Sequence, residues 1–282
     1  MILHETAYAK LNLTLDVLEK RPDGYHDICT VMQSISLCDD IALELNTGRE
    51  WSVRCNVSGI PLNERNLVWK AARVFFDAVD IDPNGIEITI CKRIPSEAGL
   101  AGGSADAAAV LRMLNRHYDA PFDETQLAEL GAKIGSDVPF CVVRSLCLAE
   151  GRGERLTKLG AVPEMHYVVC KPQISFSTPK LYAKLDEIHI RNRPDTKAMC
   201  DALRYGDVRK ASSLLCNVFE EAADDVQIAQ IKQELLANGA LGALMTGSGS
   251  AVYGLFETQI AAQRAYEQLK LQPWQFFCAK SV

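Results

Sequence analysis

Pro95–Ala109 reads PSEAGLAGGSADAAA, a glycine-rich segment that runs directly into an alanine-rich one. A backbone without Cβ atoms can lie close against an anion. The free N–H groups at the start of a helix, together with the helix dipole, favour negative charge at that point. The stretch therefore predicts a loop that binds phosphate and continues into a helix.

The elements predicted on either side of the loop support this interpretation. Gly85–Cys91 upstream alternates and is rich in isoleucine, which is typical of a strand. Ser104–Arg116 downstream has apolar residues at helical spacing, with Ser104 as a suitable N-cap. The sequence contains no Walker A string, Rossmann fingerprint or protein-kinase motif. A loop that serves only tight helix packing is the alternative left open at this point.

Composition narrows the class of protein. The chain has 282 residues, 48% of them apolar, which allows one large domain or two ordinary ones. Its net charge of −6 argues against a protein that coats nucleic acid. No apolar run is long enough for a membrane span, and no secretion signal precedes the first strand. We expect a soluble cytoplasmic protein whose partners are neither nucleic acid nor membrane.

Ten cysteines are present, and none forms a C-x-x-C pair. Most lie in apolar, strand-like segments, so we expect buried thiols in a reducing compartment rather than disulfides or a zinc site.

Periodicity predicts a first half that begins with strands and continues with helices. Leu11, Leu13, Leu15 and Val17 alternate as in a strand with one buried face, and Arg21–Gly24 is a turn. Further strands are expected at 27–38, 40–46 and 51–57, and helices at 66–79 and 124–134. An apolar strand is expected after Asp137.

The second half is predicted as short strands interleaved with helices. Gly151–Glu154 is a charged break, and we place a domain boundary there, with domains at 1–152 and 153–282. Strands are expected at 166–170, 241–245, 251–256 and 275–279, and helices at 179–185, 197–203, 207–215, 226–237 and 259–271. The pattern is typical of an α+β fold in each half.

A second glycine-rich loop, Met245–Ala251, lies between two of these predicted strands. By itself it is equally well explained as a turn between strands. Together with Pro95–Ala109, it is interpreted as a second wall around one polyphosphate.

The chain resembles the GHMP small-molecule kinases along essentially its whole length. Three motifs stand in the order and spacing of that family: Ala9–Leu13, Pro95–Ala109 and Gly247–Ser250. Two further strings, Arg21–His26 and Gly135–Phe140, are similar to the branch of the family whose acceptor is a cytidine-diphosphate-linked methylerythritol. The resemblance implies a two-domain α+β fold, with an N-terminal half like domain 2 of ribosomal protein S5 and a ferredoxin-like C-terminal half.

The resemblance also implies an activity. The γ-phosphoryl group of ATP would pass to the 2-hydroxyl of the methylerythritol moiety, in the non-mevalonate pathway to isoprenoid precursors. Asp137 would accept the hydroxyl proton, and Lys10 would orient Asp137 and offset phosphate charge. From spacing alone, Asp137 is more simply a turn or cap residue and Lys10 a solvated lysine; the family pattern reverses this preference.

Acceptor contacts are implied at the first turn and in the second half. Tyr25 and Tyr182 would stack on the two faces of the cytosine, and His26 would pair with its edge. Asn12 lies on the same face of the first strand as Lys10 and would bind substrate or fix the lysine. The remaining substrate candidates are Thr178, Gly247 and Ser248. Structural roles for His26 and Tyr182 are the alternatives.

The nucleotide would be held mainly by backbone N–H groups of the first loop. Candidate cofactor-binding residues are Lys92, Asn66, Pro95, Ala98, Gly99, Leu100, Ala101, Gly102, Gly103 and Ser104. The simplest interpretation of Asn66 is a helix N-cap. Mg²⁺ is expected as a second cofactor, with Ser104 or Asp106 as candidate contacts and its ligands otherwise unassigned. Asp106 is equally explained as a first-turn acid that serves the helix dipole.

Two positions of the loop depart from the family pattern. Ala101 and Ala105 stand where many relatives carry glycine and serine. A methyl group at residue 101 restricts the backbone if that residue needs a positive φ.

Two other functions are alternatives to the favoured one: a GHMP kinase with a different alcohol substrate, and a catalytically silent nucleotide-binding protein. The aromatic residues of the proposed base clamp argue against the first, and the presence of both Lys10 and Asp137 argues against the second.

Overall fold

A computed structural model describes residues 1–161 and 163–282 and divides the chain into two compact units. The first unit consists of Met1–Ala9, Cys38–Ser96 and Ala101–Arg144. The second consists of Lys10–Leu37, Glu97–Leu100 and Ser145–Val282. Two long strands, β1 (Ile2–Lys20) and β2 (His26–Leu45), contribute residues to both units. The domain boundary after residue 152 stays a prediction.

The sheet of the first unit is built around β4 (Ile86–Cys91). This strand runs antiparallel to β2 at Asp40–Leu45 and parallel to β3 (Ser52–Cys55). The strands predicted at 27–38 and 40–46 are one continuous strand, β2. Asp39 lies between the two predicted strands, and it can remain inside β2 because its buried carboxylate has its own hydrogen-bond partners.

Four helices complete the first unit, and the two longer ones pack together. They are α1 (Leu67–Val79), α2 (Gly102–His117), α3 (Glu124–Ala132) and α4 (Val138–Val143). The predicted strand after Asp137 was wrong, since that apolar segment is α4. Pro139 explains the difference: proline is favoured in the first turn of a helix and cannot donate to a strand ladder.

The second unit contains the remainder of β2 and a hairpin. β5 (Cys147–Gly151) pairs with Ile28–Met32 of β2 and with β6 (Arg155–Lys158). The short strand β8 (Cys216–Asn217) runs parallel to β1. The charged break predicted at Gly151–Glu154 is the hairpin turn, closed by the Gly153 N–H to the Glu150 carbonyl at 3.1 Å.

A separate four-stranded antiparallel sheet forms the core of the second unit. Its spatial order is β11 (Gln275–Lys280), β7 (His166–Lys171), β10 (Val252–Phe256) and β9 (Gly242–Met245). The predicted strands in this region are confirmed, and their order is that of a ferredoxin-like sheet. The helices of the unit are α5 (Thr178–Glu187), α6 (Thr196–Arg204), α7 (Val208–Ser213), α8 (Phe219–Ala223), α9 (Val226–Ala237) and α10 (Gln259–Leu269).

No disulfide joins any of the ten cysteines, all of which lie in the described part of the chain. Only four of them are buried, fewer than expected: Cys141, Cys147, Cys170 and Cys200. Within residues 1–161 and 163–282, no helix combines the length and apolar character needed to cross a bilayer.

Candidate functional site

The first glycine-rich loop has an alternating backbone conformation. Glu97, Gly99 and Ala101 have φ angles of 52°, 73° and 56°, whereas the residues between them do not have positive φ. Such alternation turns successive N–H groups toward one side and forms a concavity suited to an anion. Gly99 is required there, because a Cβ atom would collide with the Thr246 carbonyl oxygen. Ala101 has the left-handed φ that its methyl group disfavours.

The helix that follows begins two residues earlier than predicted. Its N-cap is Ala101, so Ser104 is the third helical residue and the expected N-cap role of Ser104 was wrong. Ala101 has no side-chain acceptor, and the first N–H groups of α2 are therefore left to a ligand or to water. A Cβ atom on Gly102 would lie 2.7 Å from the Lys92 Nζ and 3.0 Å from the Ile94 Cγ2, so a larger residue at the first helical position would displace these side chains.

Lys92 lies beneath the start of α2 between two buried carboxylates. Its amine forms an ion pair with Asp39 and donates to Asp106 Oδ2 at 3.0 Å. Asp39 Oδ1 also accepts hydrogen bonds from the backbone N–H groups of Arg93 and Ile94, at 2.5 and 2.7 Å. Lys92 thus fastens β2, the residues before the loop and α2 together. Its predicted contact with nucleotide stays a prediction.

Burial sets the charge of this cluster. Loss of hydration, helped by the neighbouring Asp39 carboxylate and opposed by the Lys92 charge, raises the pKa of Asp106 to about 8. Burial alone would lower the pKa of Lys92, but the two carboxylates raise it overall. Asp106 Oδ1 is buried and has no hydrogen-bond partner among the described residues. Asp106 is not a first-turn acid of α2, which has none.

Asn66 caps α1, as its simplest interpretation predicted. Its Oδ1 accepts the Val68 N–H at 3.1 Å, and its Nδ2 donates to the Pro61 carbonyl at 2.7 Å. Both ends of the amide are thus used by local backbone. A role in the adenine pocket stays a prediction.

Asp137 occupies the N-cap position of α4 but does not act as a cap. Its φ and ψ of −84° and −12° are helical, and its side chain makes no cap hydrogen bond. The side chain is half-buried. The local structure therefore gives this carboxylate no capping role, while its place in a turn, closed by the Val138 N–H to the Gly135 carbonyl at 3.1 Å, agrees with the simpler interpretation.

In the second unit, β1 has two buried faces rather than the single buried face predicted. Leu11, Leu13 and Leu15 lie on one face, while Lys10 and Asn12 lie on the other and are 3% and 2% exposed. The Lys10 Nζ donates to Asn12 Oδ1 at 2.6 Å. Lys10 is therefore not the solvated lysine that its position in the sequence would allow.

A network around Asn12 fixes this polar face. Its N–H donates to Thr246 Oγ1 at 3.1 Å, its Nδ2 donates to Thr30 Oγ1 at 2.8 Å, and its carbonyl accepts from the Tyr253 hydroxyl at 2.9 Å. The Lys10 N–H donates to the Leu100 carbonyl at 3.2 Å. The lysine is thus held against the first glycine-rich loop.

The second glycine-rich loop lies against the same residues. A Cβ atom on Gly247 would lie 3.3 Å from the Lys10 Nζ and 3.1 Å from the Gly99 Cα. Asn217 Nδ2 holds the loop through the carbonyls of Met245 and Gly247, at 2.7 and 2.8 Å. Gly99 and Leu100 of the first loop, the second loop and Lys10 therefore lie together in the second unit, and a polyphosphate between the two loops stays a prediction.

Two substrate candidates meet at the edge of this loop. The hydroxyl groups of Thr178 and Ser248 are 2.6 Å apart. Thr178 is the first residue of α5, so this contact joins the helix start to the loop.

The predicted base clamp is arranged differently from expectation. The Tyr182 ring stacks on the His26 ring, with centroids 4.9 Å apart and planes at 16°, and meets Phe219 edge-on. His26 Nε2 is 2.7 Å from Asp186 Oδ1. Tyr25 is 54% exposed, and the Arg152 guanidinium lies 4.9 Å from its ring centroid. Stacking of a base on Tyr25 and Tyr182 stays a prediction.

Sequence reasoning missed several polar residues that organise these groups. They are Asp39, Arg152, Asp186, Asn217 and Thr246. The sequence gives a signal for one of them: Tyr182 and Asp186 are four residues apart and so share one face of α5.

Metal ligands cannot be assigned to a protein cluster. In the part of the chain that the structure describes, no three His, Cys, Asp or Glu side chains are grouped closely enough to hold a metal ion.

Family models match both halves of the chain. Residues 66–145 match the GHMP kinases N terminal domain, and residues 226–273 match the GHMP kinases C terminal domain. The first match includes the glycine-rich loop and Asp137.

Relatives match over nearly the whole length. A 4-diphosphocytidyl-2-C-methyl-D-erythritol kinase from Lachnoclostridium phytofermentans is 40% identical over 290 residues, covering 100% of this chain and 99% of the relative. One from Caldicellulosiruptor saccharolyticus is 42% identical over 267 residues, covering 94% and 92%. A solved 4-(cytidine 5'-diphospho)-2C-methyl-D-erythritol kinase superposes with a TM-score of 0.82 at 31% identity, covering 99% of each chain.

Proposed function

The chain belongs to the 4-diphosphocytidyl-2-C-methyl-D-erythritol kinases of the GHMP family, and we propose that it phosphorylates the 2-hydroxyl of 4-diphosphocytidyl-2-C-methyl-D-erythritol with ATP. This reaction belongs to the synthesis of isoprenoid precursors. The proposal extends to the individual residues that would carry out the transfer.

One observation carries the chemistry: Lys10 is a buried cation whose side chain is paired with a neutral amide. No carboxylate of the second unit's described residues is within ion-pair distance of its amine. Burying an unpaired charge is costly, and a ligand of opposite charge would offset the cost. The glycine-rich backbone beside Lys10 fits the phosphates of ATP.

The cradle for those phosphates would be made of backbone N–H groups. The alternating φ angles at 97, 99 and 101 and the uncapped start of α2 both support binding of an anion. Ala98–Ser104 would hold the nucleotide phosphates. Lys92 and Pro95 would support this loop, and Asn66 is the adenine candidate.

Asp137 would accept the proton of the acceptor hydroxyl. As the new bond forms between the acceptor oxygen and the γ-phosphorus, the bond from that phosphorus to the β–γ bridging oxygen breaks, and ADP leaves. A carboxylate not used in a helix cap is available for this proton. The Lys10 cation would offset the negative charge of the transferring group.

Mg²⁺ is the expected companion of ATP. The nucleotide phosphates, with the Ser104 hydroxyl as the candidate protein contact, would hold the ion, and it would neutralise phosphate charge. Ser104 is half-buried in the first turn of α2, which suits such a contact.

The acceptor would lie along β1, the first turn and the start of α5. Asn12 would orient the alcohol, and Tyr25, His26 and Tyr182 would bind the cytosine. The 2.6 Å contact between the Thr178 and Ser248 hydroxyls supports a joint polar contact of these two residues and Gly247 with substrate. We also propose a cytoplasmic location, supported by ten cysteines without a disulfide.

A panel of alcohols tests the function. The protein is incubated with ATP, Mg²⁺ and one alcohol, and release of ADP is followed. We expect release with the diphosphocytidyl alcohol and not with mevalonate or homoserine. Release with either of the latter alone would identify another GHMP kinase, and binding of ATP without release in any mixture would identify a silent nucleotide-binding protein.

A further inference from the structure

His26 is held by two side chains of α5 that are one helical turn apart. Tyr182 covers one face of the imidazole, with 4.9 Å between the ring centroids, and Asp186 Oδ1 lies 2.7 Å from Nε2 at its edge. Residues four apart share a helix face, which explains how one helix provides both contacts. The ring plane and one of its two nitrogens are therefore fixed.

The second oxygen of Asp186 is also occupied. Lys20 Nζ donates to Asp186 Oδ2 at 2.6 Å. Hydrogen bonds from Lys20 and from His26 lower the pKa of Asp186, so this carboxylate is ionised and can only accept. The hydrogen between Asp186 and His26 therefore belongs to Nε2 of the imidazole.

The tautomer of His26 follows from this assignment. When Nε2 of a neutral imidazole carries the hydrogen, Nδ1 has a lone pair and accepts hydrogen bonds. Lys20 also balances the charge of Asp186.

The His26 side chain is 6% exposed, and Nδ1 is its second hydrogen-bonding atom. Among the described residues, no hydrogen-bond partner occupies it. In residues 1–161 and 163–282, two fully buried polar side-chain atoms have no partner, Gln33 Oε1 and Asp106 Oδ1, and His26 Nδ1 is not one of them. A group that reaches Nδ1 must donate a hydrogen bond.

We propose that Asp186 is a positioning residue that sets base specificity, by holding His26 as the tautomer whose Nδ1 accepts from the exocyclic amino group of cytosine. Uracil presents a carbonyl oxygen at that position and would face the Nδ1 lone pair with another. The inference rests on the proposed function, in which His26 meets the base edge. It adds a residue from α5 as the source of the selectivity.

Kinetics with two substrates test the selectivity. The cytidine and uridine forms of the diphosphate-linked alcohol are compared in the wild type, in Asp186→Asn and in the control Glu187→Gln. An asparagine can present either its oxygen or its NH₂ group to Nε2, so it no longer selects one tautomer. We expect the ratio of kcat/KM for cytidine over uridine to fall about tenfold in Asp186→Asn, mainly through KM, with kcat changed less than about twofold.

Glu187→Gln removes a neighbouring exposed carboxylate of α5 and should leave the ratio unchanged. An asparagine at this 32% exposed position still offers a hydrogen-bond partner to the buried His26 ring, so the variant should fold. An unchanged ratio in folded Asp186→Asn would overturn the proposal, as would a wild type that uses both pyrimidines equally.

A spectroscopic measurement tests the tautomer without turnover. ¹⁵N NMR of the histidine rings should show His26 protonated at Nε2 in the wild type and a mixture of tautomers in Asp186→Asn. A wild-type signal protonated at Nδ1 would overturn the assignment. Failure to phosphorylate either pyrimidine substrate would overturn the proposed function and the selectivity with it, while the NMR result would still decide the tautomer.

Discussion

Asp137 is the residue at which the smallest chemical change should have the largest effect. Replacing it with asparagine keeps the shape but removes the proton acceptor. Since general base catalysis contributes about 10²–10⁴-fold, we expect kcat to fall at least about 100-fold. The Kd for ATP, measured by titration calorimetry, should not change.

Asp119→Asn is a suitable control for this change. Asp119 is an exposed residue with φ of 58° in the same unit, a conformation that asparagine tolerates. It should have wild-type kinetics. Wild-type turnover in Asp137→Asn would remove Asp137 from the mechanism.

Lys10 should affect both binding and turnover. Lys10→Met keeps most of the buried volume and removes the cation, so kcat/KM should fall about 100-fold or more while the protein stays folded. Steady-state kinetics and a thermal melt check this. Lys180→Met, at an exposed position of α5, is the matched control. Equal kinetics in the two variants would contradict the assigned role of Lys10.

Single residues differ in how far the sequence predicts them. Lys10 and Asn12 could be predicted because polar residues stand out in an apolar strand. Asp186 could not be paired with His26, because 160 residues separate them and only the fold joins them. Asp39 was missed for the same reason, since its partners follow it by more than 50 residues.

Among the elements, the start of α2 stores strain at a defined position. A left-handed φ costs an L-residue about 1–2 kcal/mol, and Ala101→Gly would remove that cost. Glycine also raises the conformational entropy of the unfolded chain, which lowers the free energy of unfolding by about 0.4–1 kcal/mol. We expect a net stabilisation of about 0.5–1 kcal/mol in urea unfolding. Ala105→Gly, inside the same helix, should instead destabilise by about 1 kcal/mol. Destabilisation by both changes would contradict the strain assigned to Ala101.

Asp106 should make stability depend on pH through the same helix. Its pKa is raised from 3.8 to about 8, so between these values the folded chain keeps a proton that the unfolded chain has released. Stability therefore falls as pH rises through this range. Asp106→Asn lacks this term, so its stability relative to the wild type should rise by at least about 1 kcal/mol between pH 5 and pH 8.

Urea unfolding at several pH values checks this expectation, with Asp119→Asn as the exposed control. A difference between Asp106→Asn and the wild type that does not change with pH would show that Asp106 is ionised in the folded protein throughout.

Elements with clear periodicity were predicted, including short ones such as β3, β9 and α7, whereas α4, β5 and β6 were not. The amphipathic pattern of α1 and the strands of the second sheet gave clear signals. Apolar periodicity could not distinguish a six-residue helix such as α4 from a strand. The hairpin of β5 and β6 was missed because its turn contains charged residues that also suit a linker.

At the scale of the whole molecule, each unit is built from three separate segments of the chain. Pairings such as 28–32 with 147–151 determine which segments belong together, and a single sequence does not reveal them. The family resemblance predicted the architecture where periodicity could not. The ferredoxin-like order of the second sheet agrees with it.

The central claim is transfer of the γ-phosphoryl group to the 2-hydroxyl, and the product itself tests it most directly. That hydroxyl is on a tertiary carbon, which carries no hydrogen. In a proton-coupled ³¹P spectrum of the product, the new phosphomonoester should therefore be free of three-bond coupling to a proton. A phosphomonoester signal split by such coupling, or loss of ATP to inorganic phosphate alone, would contradict the account.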